Sequence, residues 1–145
     1  MSRQAARLWF LVCWLICSGR LAAQAPAEPC QPVATMKQLM VEIIHPASNE
    51  ILLVINRGGP DAEREWAAVR RSAMTLAESG NLLIMRNRAP AWINAAKKLT
   101  DVGSAAYQAA QTKDAKALAA LADPLDASCT ACHKQFRPSI FAPVR

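Results

Sequence analysis

From Leu118 to Phe136 the chain reads LAALADPLDASCTACHKQF, and its apolar and cofactor-type residues recur at intervals of three and four. Leu118, Leu121, Ala122, Leu125, Cys129, Cys132, His133 and Phe136 therefore fall on one face of a helix with 3.6 residues per turn. Asp114 stands just upstream, where its carboxylate can cap the first turn. Pro124 predicts a kink, because proline lacks the amide hydrogen that would close a turn.

Three further segments towards the N-terminus have the same character. Thr35-Met-Lys-Gln38 fits a capping box, and Met36, Leu39, Met40, Ile43 and Ala47 follow as a stripe that continues to Ile51 and Val54. Pro46 interrupts that stripe and predicts a kink or a restart. Asn56-Arg-Gly-Gly-Pro60 ends the first helix, and Asp61 is placed to cap the second. In the second, Trp66, Val69, Ala73, Ala77, Gly80 and Ile84 share a face. Gly80 is costly inside a helix and marks a close approach, either of another helix or of a bound group. Pro90 suits the first position of a third helix, whose inner face carries Trp92, Ala95, Leu99, Val102, Ala106 and Ala109. No segment alternates as a strand would. The expected fold is all-α, an antiparallel four-helix bundle spanning residues 35–137.

Cys129-Thr-Ala-Cys132-His133 has the C-x-x-C-H spacing of covalent c-type haem attachment. Each fixed residue has a chemical task. The two thiols add across the porphyrin vinyl groups, and the imidazole of His133 becomes the proximal iron ligand. At i, i+3 and i+4 the three side chains project from one helical face. This composition would generate roughly 0.002 such pentapeptides by chance. Two other readings are a buried thiol pair beside an unrelated histidine, and a thiol-redox site, which would sit in a βαβ setting that the flanking sequence lacks. One covalently attached haem c is the expected cofactor, and its apolar area would enlarge the modest core of so small a domain.

The N-terminus agrees with that chemistry. Arg3 and Arg7 precede the apolar run Leu8–Cys17, and Leu21-Ala-Ala-Gln-Ala25 supplies small residues for cleavage after Ala23. Residues 1–23 are expected to be a secretory signal peptide, giving a periplasmic product. An uncleaved N-terminal anchor is the alternative, although the run is shorter than the about 20 residues of a membrane span. Residues 24–34 form a proline-rich leader and 138–145 a tail. Losing Arg3, Arg7 and Arg20 lowers the formal net charge by three from +6. The basic character is thus largely a leader effect, and no basic run with interleaved aromatics suggests nucleic acid. Cys30 is left as a lone thiol. A homodimer stays open, with Cys30 as one route to it.

These features resemble the class II c-type cytochromes, the cytochrome c′ and low-spin c-556-like group. The resemblance covers residues 35–137 and rests on the bundle, the attachment motif near the C-terminus and the aromatic–basic pair Phe136-Arg137. It implies a methionine of the first helix as sixth iron ligand, and Leu39-Met40 resembles that position. His45, Met36 and an open site are the alternatives. In a regular helix Met36 and Met40 lie about 40° apart but about 6 Å along the axis, and His45 points about 140° from Met40. Met40 and His45 would then compete for the iron. Arg137, one turn beyond His133, is the expected partner of a haem propionate, with Arg86 and Arg88 as further candidates. The expected function is a one-electron carrier that serves a periplasmic redox partner protein. The alternative is a five-coordinate binder of NO or CO. An enzyme is not expected, because no distal acid–base constellation accompanies the motif.

Overall fold

The computed structural model describes residues 31–141, and side chains as far as residue 139. The expected signal peptide, most of the leader, Cys30 and the end of the tail lie outside the described residues. Among those described there is no strand. Helix α1 spans Met36–Asn56, α2 Glu63–Arg86, α3 Pro90–Thr112, α4 Ala115–Ala119 and α5 Ala122–Phe136. A 3-10 turn, Pro138–Phe141, follows.

The start of α1 is fixed as its sequence dictates. Thr35 is in extended conformation and its hydroxyl accepts from the Gln38 amide at 3.2 Å. The Gln38 side chain returns the bond, accepting from the Thr35 amide at 2.9 Å. The end is a Schellman turn. Gly58 and Gly59 both have φ +104, and their amides donate back to Ile55 and Val54.

Between these ends α1 departs from a regular helix. Leu39–Ile44 is wound as a π-helix, and the His45 amide donates to the Met40 carbonyl five residues back. Pro46 explains the winding. In an α-helix its ring would crowd the carbonyl four residues earlier and leave it without a donor. The wider turn removes that conflict without breaking the helix. The consequence is a one-residue change of register. Leu39 and Ile44 are buried while Ile43, expected on the inner stripe, is 36% exposed.

Two other expectations are corrected. Asp61 does not cap α2: the N-cap is Ala62, and the Asp61 amide instead donates to the Glu65 carboxylate at 3.0 Å. Pro124 does not kink the last helix. The chain breaks earlier, at Ala120–Leu121, and Pro124 is the third residue of α5, where an amide has no helical acceptor to lose. Asp114 caps α4 as expected, accepting from the Ala117 amide at 2.9 Å.

Named contacts give the helix directions. Arg86, at the end of α2, donates to the Ala34 carbonyl before α1. Lys113, after α3, pairs with Glu63 at the start of α2. Trp92, at the start of α3, meets Phe136 at the end of α5 edge-to-face, with centroids 4.9 Å apart. Neighbours therefore run antiparallel, and four long helices pack together.

The α2–α3 contact is the most extensive in the molecule. A β-carbon on Gly80 would lie 1.9 Å from Thr100 Oγ1, and one on Gly103 would lie 2.5 Å from the Ala77 amide nitrogen. The close approach at Gly80 is therefore to α3. The core runs through Leu39, Ile51, Val69, Leu76, Leu118 and Leu125, each at most 1% exposed. By length and composition α1 could also cross a membrane, but one face of it, Ile44 to Val54, is part of that core.

Candidate functional site

Where α2 and α3 close on each other, α1 and α5 do not. A cleft of about 580 Å³ opens between them, within the range of small-molecule and cofactor sites. Cys129, Cys132 and His133 of α5 line one side, and Met40, Ile44, His45 and Leu52 of α1 the other. Leu83 of α2 and Leu99 of α3 contribute apolar wall, and among the described residues Asp126 is the only acidic side chain at the cleft. A second cleft, of about 310 Å³, is lined by Met36, Met40, Trp92, Phe136 and Arg137, and shares Cys132 and His133 with the first.

The α5 side of the site follows from local sequence. Cys129, Cys132 and His133 are all half-buried on the inward face of an uninterrupted helix. Arg137 is the residue at which that helix ends, and its amide donates to the His133 carbonyl at 2.7 Å. Its side chain is exposed beside the second cleft. Arg86 is otherwise engaged, donating to the Leu82 and Ala34 carbonyls. Arg88 is exposed on the α2–α3 turn.

The α1 side depends on the π segment. Counting back from the buried Ile44, an α-helix would give the core position to Met40, four residues earlier. The π turn gives it to Leu39 instead, which is 1% exposed, and leaves Met40 half-buried at the cleft. The same winding brings His45 to the cleft that Met40 lines. The divergence of about 140° expected for an α-helix does not apply to this pair. Asn49 lies one turn on, its amide nitrogen 3.4 Å from His45 Nε2. Met36 lines only the second cleft. Sequence reasoning missed Ser48, Asn49 and Leu52 as cleft residues. Only Pro46 signalled the altered winding that places them.

The thiols are free. Burial is the largest influence on both, pushing each above the ordinary thiol range; Asp126 adds to this at Cys129, and Cys129 at Cys132. A redox C-x-x-C is usually associated with the opposite direction, a lowered thiol pKa. Among the described residues no three His, Cys, Asp or Glu side chains gather as ligands of a bare metal ion. What the cleft offers is an imidazole on one helix, a thioether and a second imidazole on another, and apolar walls between. No protein-family model, curated protein or solved structure matches this chain.

Proposed function

We propose that this chain is a c-type haem protein that carries single electrons. One observation carries the reading: the C-x-x-C-H residues and the Met40–His45 segment line the same apolar cleft from opposite helices. The donor set suits a metal held in a macrocycle, which needs axial ligands rather than the three or four side chains that a bare ion demands. Cys129 and Cys132 would hold the haem through thioether bonds, each formed by adding a thiol S–H across a vinyl C=C. His133 would supply the proximal nitrogen and Met40 the sixth ligand. Arg137 would pair with a propionate. When bound, the haem supplies a centre that gains and loses one electron. Leu52, Leu83 and Leu99 keep water from that centre, and a thioether ligand favours its reduced form, which raises the potential. Export to the periplasm and service to a redox partner there belong to the same proposal.

Optical spectra of the purified protein test this directly. Expected is one haem that resists acid–acetone extraction, low-spin in both oxidation states, with a weak sulfur-to-iron band when oxidised. Met40→Ala should lose that band and open the iron to CO, whereas Met36→Ala should leave the spin state unchanged. A low-spin wild type that lacks that band, and whose spectrum changes only in His45→Ala, would transfer the sixth position to His45. A wild type that is high-spin and takes up CO readily would favour the gas-binding alternative. Haem that washes out, or never binds, would overturn the assignment altogether.

A further inference from the structure

The charges of this molecule are segregated along the bundle. The start of α1, the α2–α3 turn and the end of α5 meet at one pole, as the Arg86–Ala34 and Trp92–Phe136 contacts establish. Residues 31–41, 82–96 and 130–141, which build that pole, include Lys37, Arg86, Arg88, Lys134 and Arg137 and not one Asp or Glu. Lys37, Arg88 and Arg137 are exposed and form no ion pair among the described residues; under the haem reading a propionate would neutralise Arg137, which leaves Lys37 and Arg88 as the free charge. Arg86 donates to two backbone carbonyls, which holds its charge at the pole, and it pairs with no acid among the described residues. At the opposite pole cations and carboxylates are matched, with Arg57 on Glu65 and Lys113 on Glu63.

The basic pole is also where the second cleft opens. Met36, Trp92 and Phe136 line it beside His133, with Arg137 at its edge. An apolar and aromatic centre with an arginine-bearing rim is the anatomy of a protein–protein interface. A membrane-binding surface would instead be expected to gather four to eight cations on one amphipathic helix or beside a membrane span, whereas the cations here come from three separate segments and no two adjoin in sequence.

We propose that this pole is the docking face for an acidic protein, and that the proposed electron transfer takes place through it. The first half of the statement stands on charge and shape; the second rests on the haem reading. Fixed positive potential around the cleft mouth raises the encounter rate with an anionic partner, in a manner that salt suppresses.

Poly-L-glutamate serves as the anionic polypeptide probe, with the full-length protein and two pairs of charge reversals. Lys37→Glu with Arg88→Glu alters the pole. Arg64→Glu with Lys116→Glu, both at exposed positions away from it, makes the same change in net charge. The wild type is expected to bind at low ionic strength and release as salt rises. The pole pair should bind roughly tenfold more weakly and the control pair nearly as well as wild type. Oxidation of the reduced protein by ferricyanide, an anionic oxidant, should slow in the same order. Equal weakening in both pairs would reduce the effect to net charge and overturn the docking face. Preferential binding to phosphatidylglycerol vesicles, lost in the pole pair, would assign the face to a membrane and overturn the protein partner. Absence of haem would remove the ferricyanide measurement and refute the electron-transfer half, leaving the polyglutamate measurement to decide the docking face.

Discussion

Two pairs of helices in this bundle are built on opposite plans. In α2 and α3 glycines face the partner backbone, and Thr100 Oγ1 bonds the Ala77 carbonyl across the seam at 3.2 Å. In α1 and α5 the facing positions carry Met40, Leu52, Cys129 and His133, long or functional side chains that are only half-buried. The comparison separates two uses of the same element. One pair spends its inner face on mutual contact, and the closeness it gains braces the molecule. The other keeps its inner face available to something else. A bundle in which all four helices met as closely as α2 and α3 would have no interior site.

That contrast breaks most readily at the seam. Gly103→Val puts a branched side chain where even one β-carbon would lie 2.5 Å from the Ala77 nitrogen and 3.0 Å from its Cα. Backbone cannot yield as a side-chain tip can, so the helices must part, at a cost of about 3 kcal/mol. Val41→Ala, at a cleft position 58% exposed, should cost within about 0.5 kcal/mol. Urea unfolding midpoints measure both. Equal losses would mean that the α1–α5 wall is as tightly filled as the seam.

A sharper comparison lies within α1, between neighbours that the π turn sends to different fates. Leu39 is fully enclosed and Met40 faces the clefts. Leu39→Ala should lose about 3 kcal/mol of stability without changing the spectrum of the proposed haem. Met40→Ala should lose only about 1 kcal/mol and carry the spectral change. If the stability losses are reversed, the register of the segment is α-helical and Met40 belongs to the core.

Much of this arrangement was legible in the residues, and the exceptions have a common cause. Thr35 and Gln38, Pro90 at the first position of α3 and Asp114 before α4 all act through neighbours three or four residues away, so local sequence states their roles fully. The inward face of α5 was legible because that helix is regular. The π segment was not, because reading a stripe presumes one period throughout, and Pro46 announces a conflict without saying how the backbone resolves it. Asp61 failed as a cap because Glu65, held also by Arg57 at 2.9 Å, takes up the Asp61 amide from four residues away. Gly80 left two partners open, since its neighbour in space, Thr100, is twenty residues distant. The cleft itself is a relation between α1 and α5, the first long helix and the last, and no local pattern contains it.

The smallest expected effect is at the far end of the seam, where Lys113 closes on Glu63. The Lys113 ammonium, by hydrogen bond and then by charge, holds the Glu63 carboxyl below its ordinary value of 4.5. Glu65 is likewise lowered, chiefly by the Asp61 amide and also by Arg57. A carboxylate whose folded pKa is depressed stabilises the fold above its unfolded value, and that contribution disappears as pH falls through the folded one. Glu63 is exposed and Glu65 half-buried at the surface, so the effect is modest and salt weakens it. Thermal midpoints recorded from pH 6 downward should decline below about pH 4.5, and the decline should be shallower in Glu63→Gln and in high salt. If the proposed haem is bound, its absorption should stay constant across the first part of that decline, because the pairs lie at the pole away from the cleft. A spectral change that leads the loss of stability would show instead that acid acts first at the α1–α5 site, and that the closed pair is not the part of the bundle these carboxylates hold.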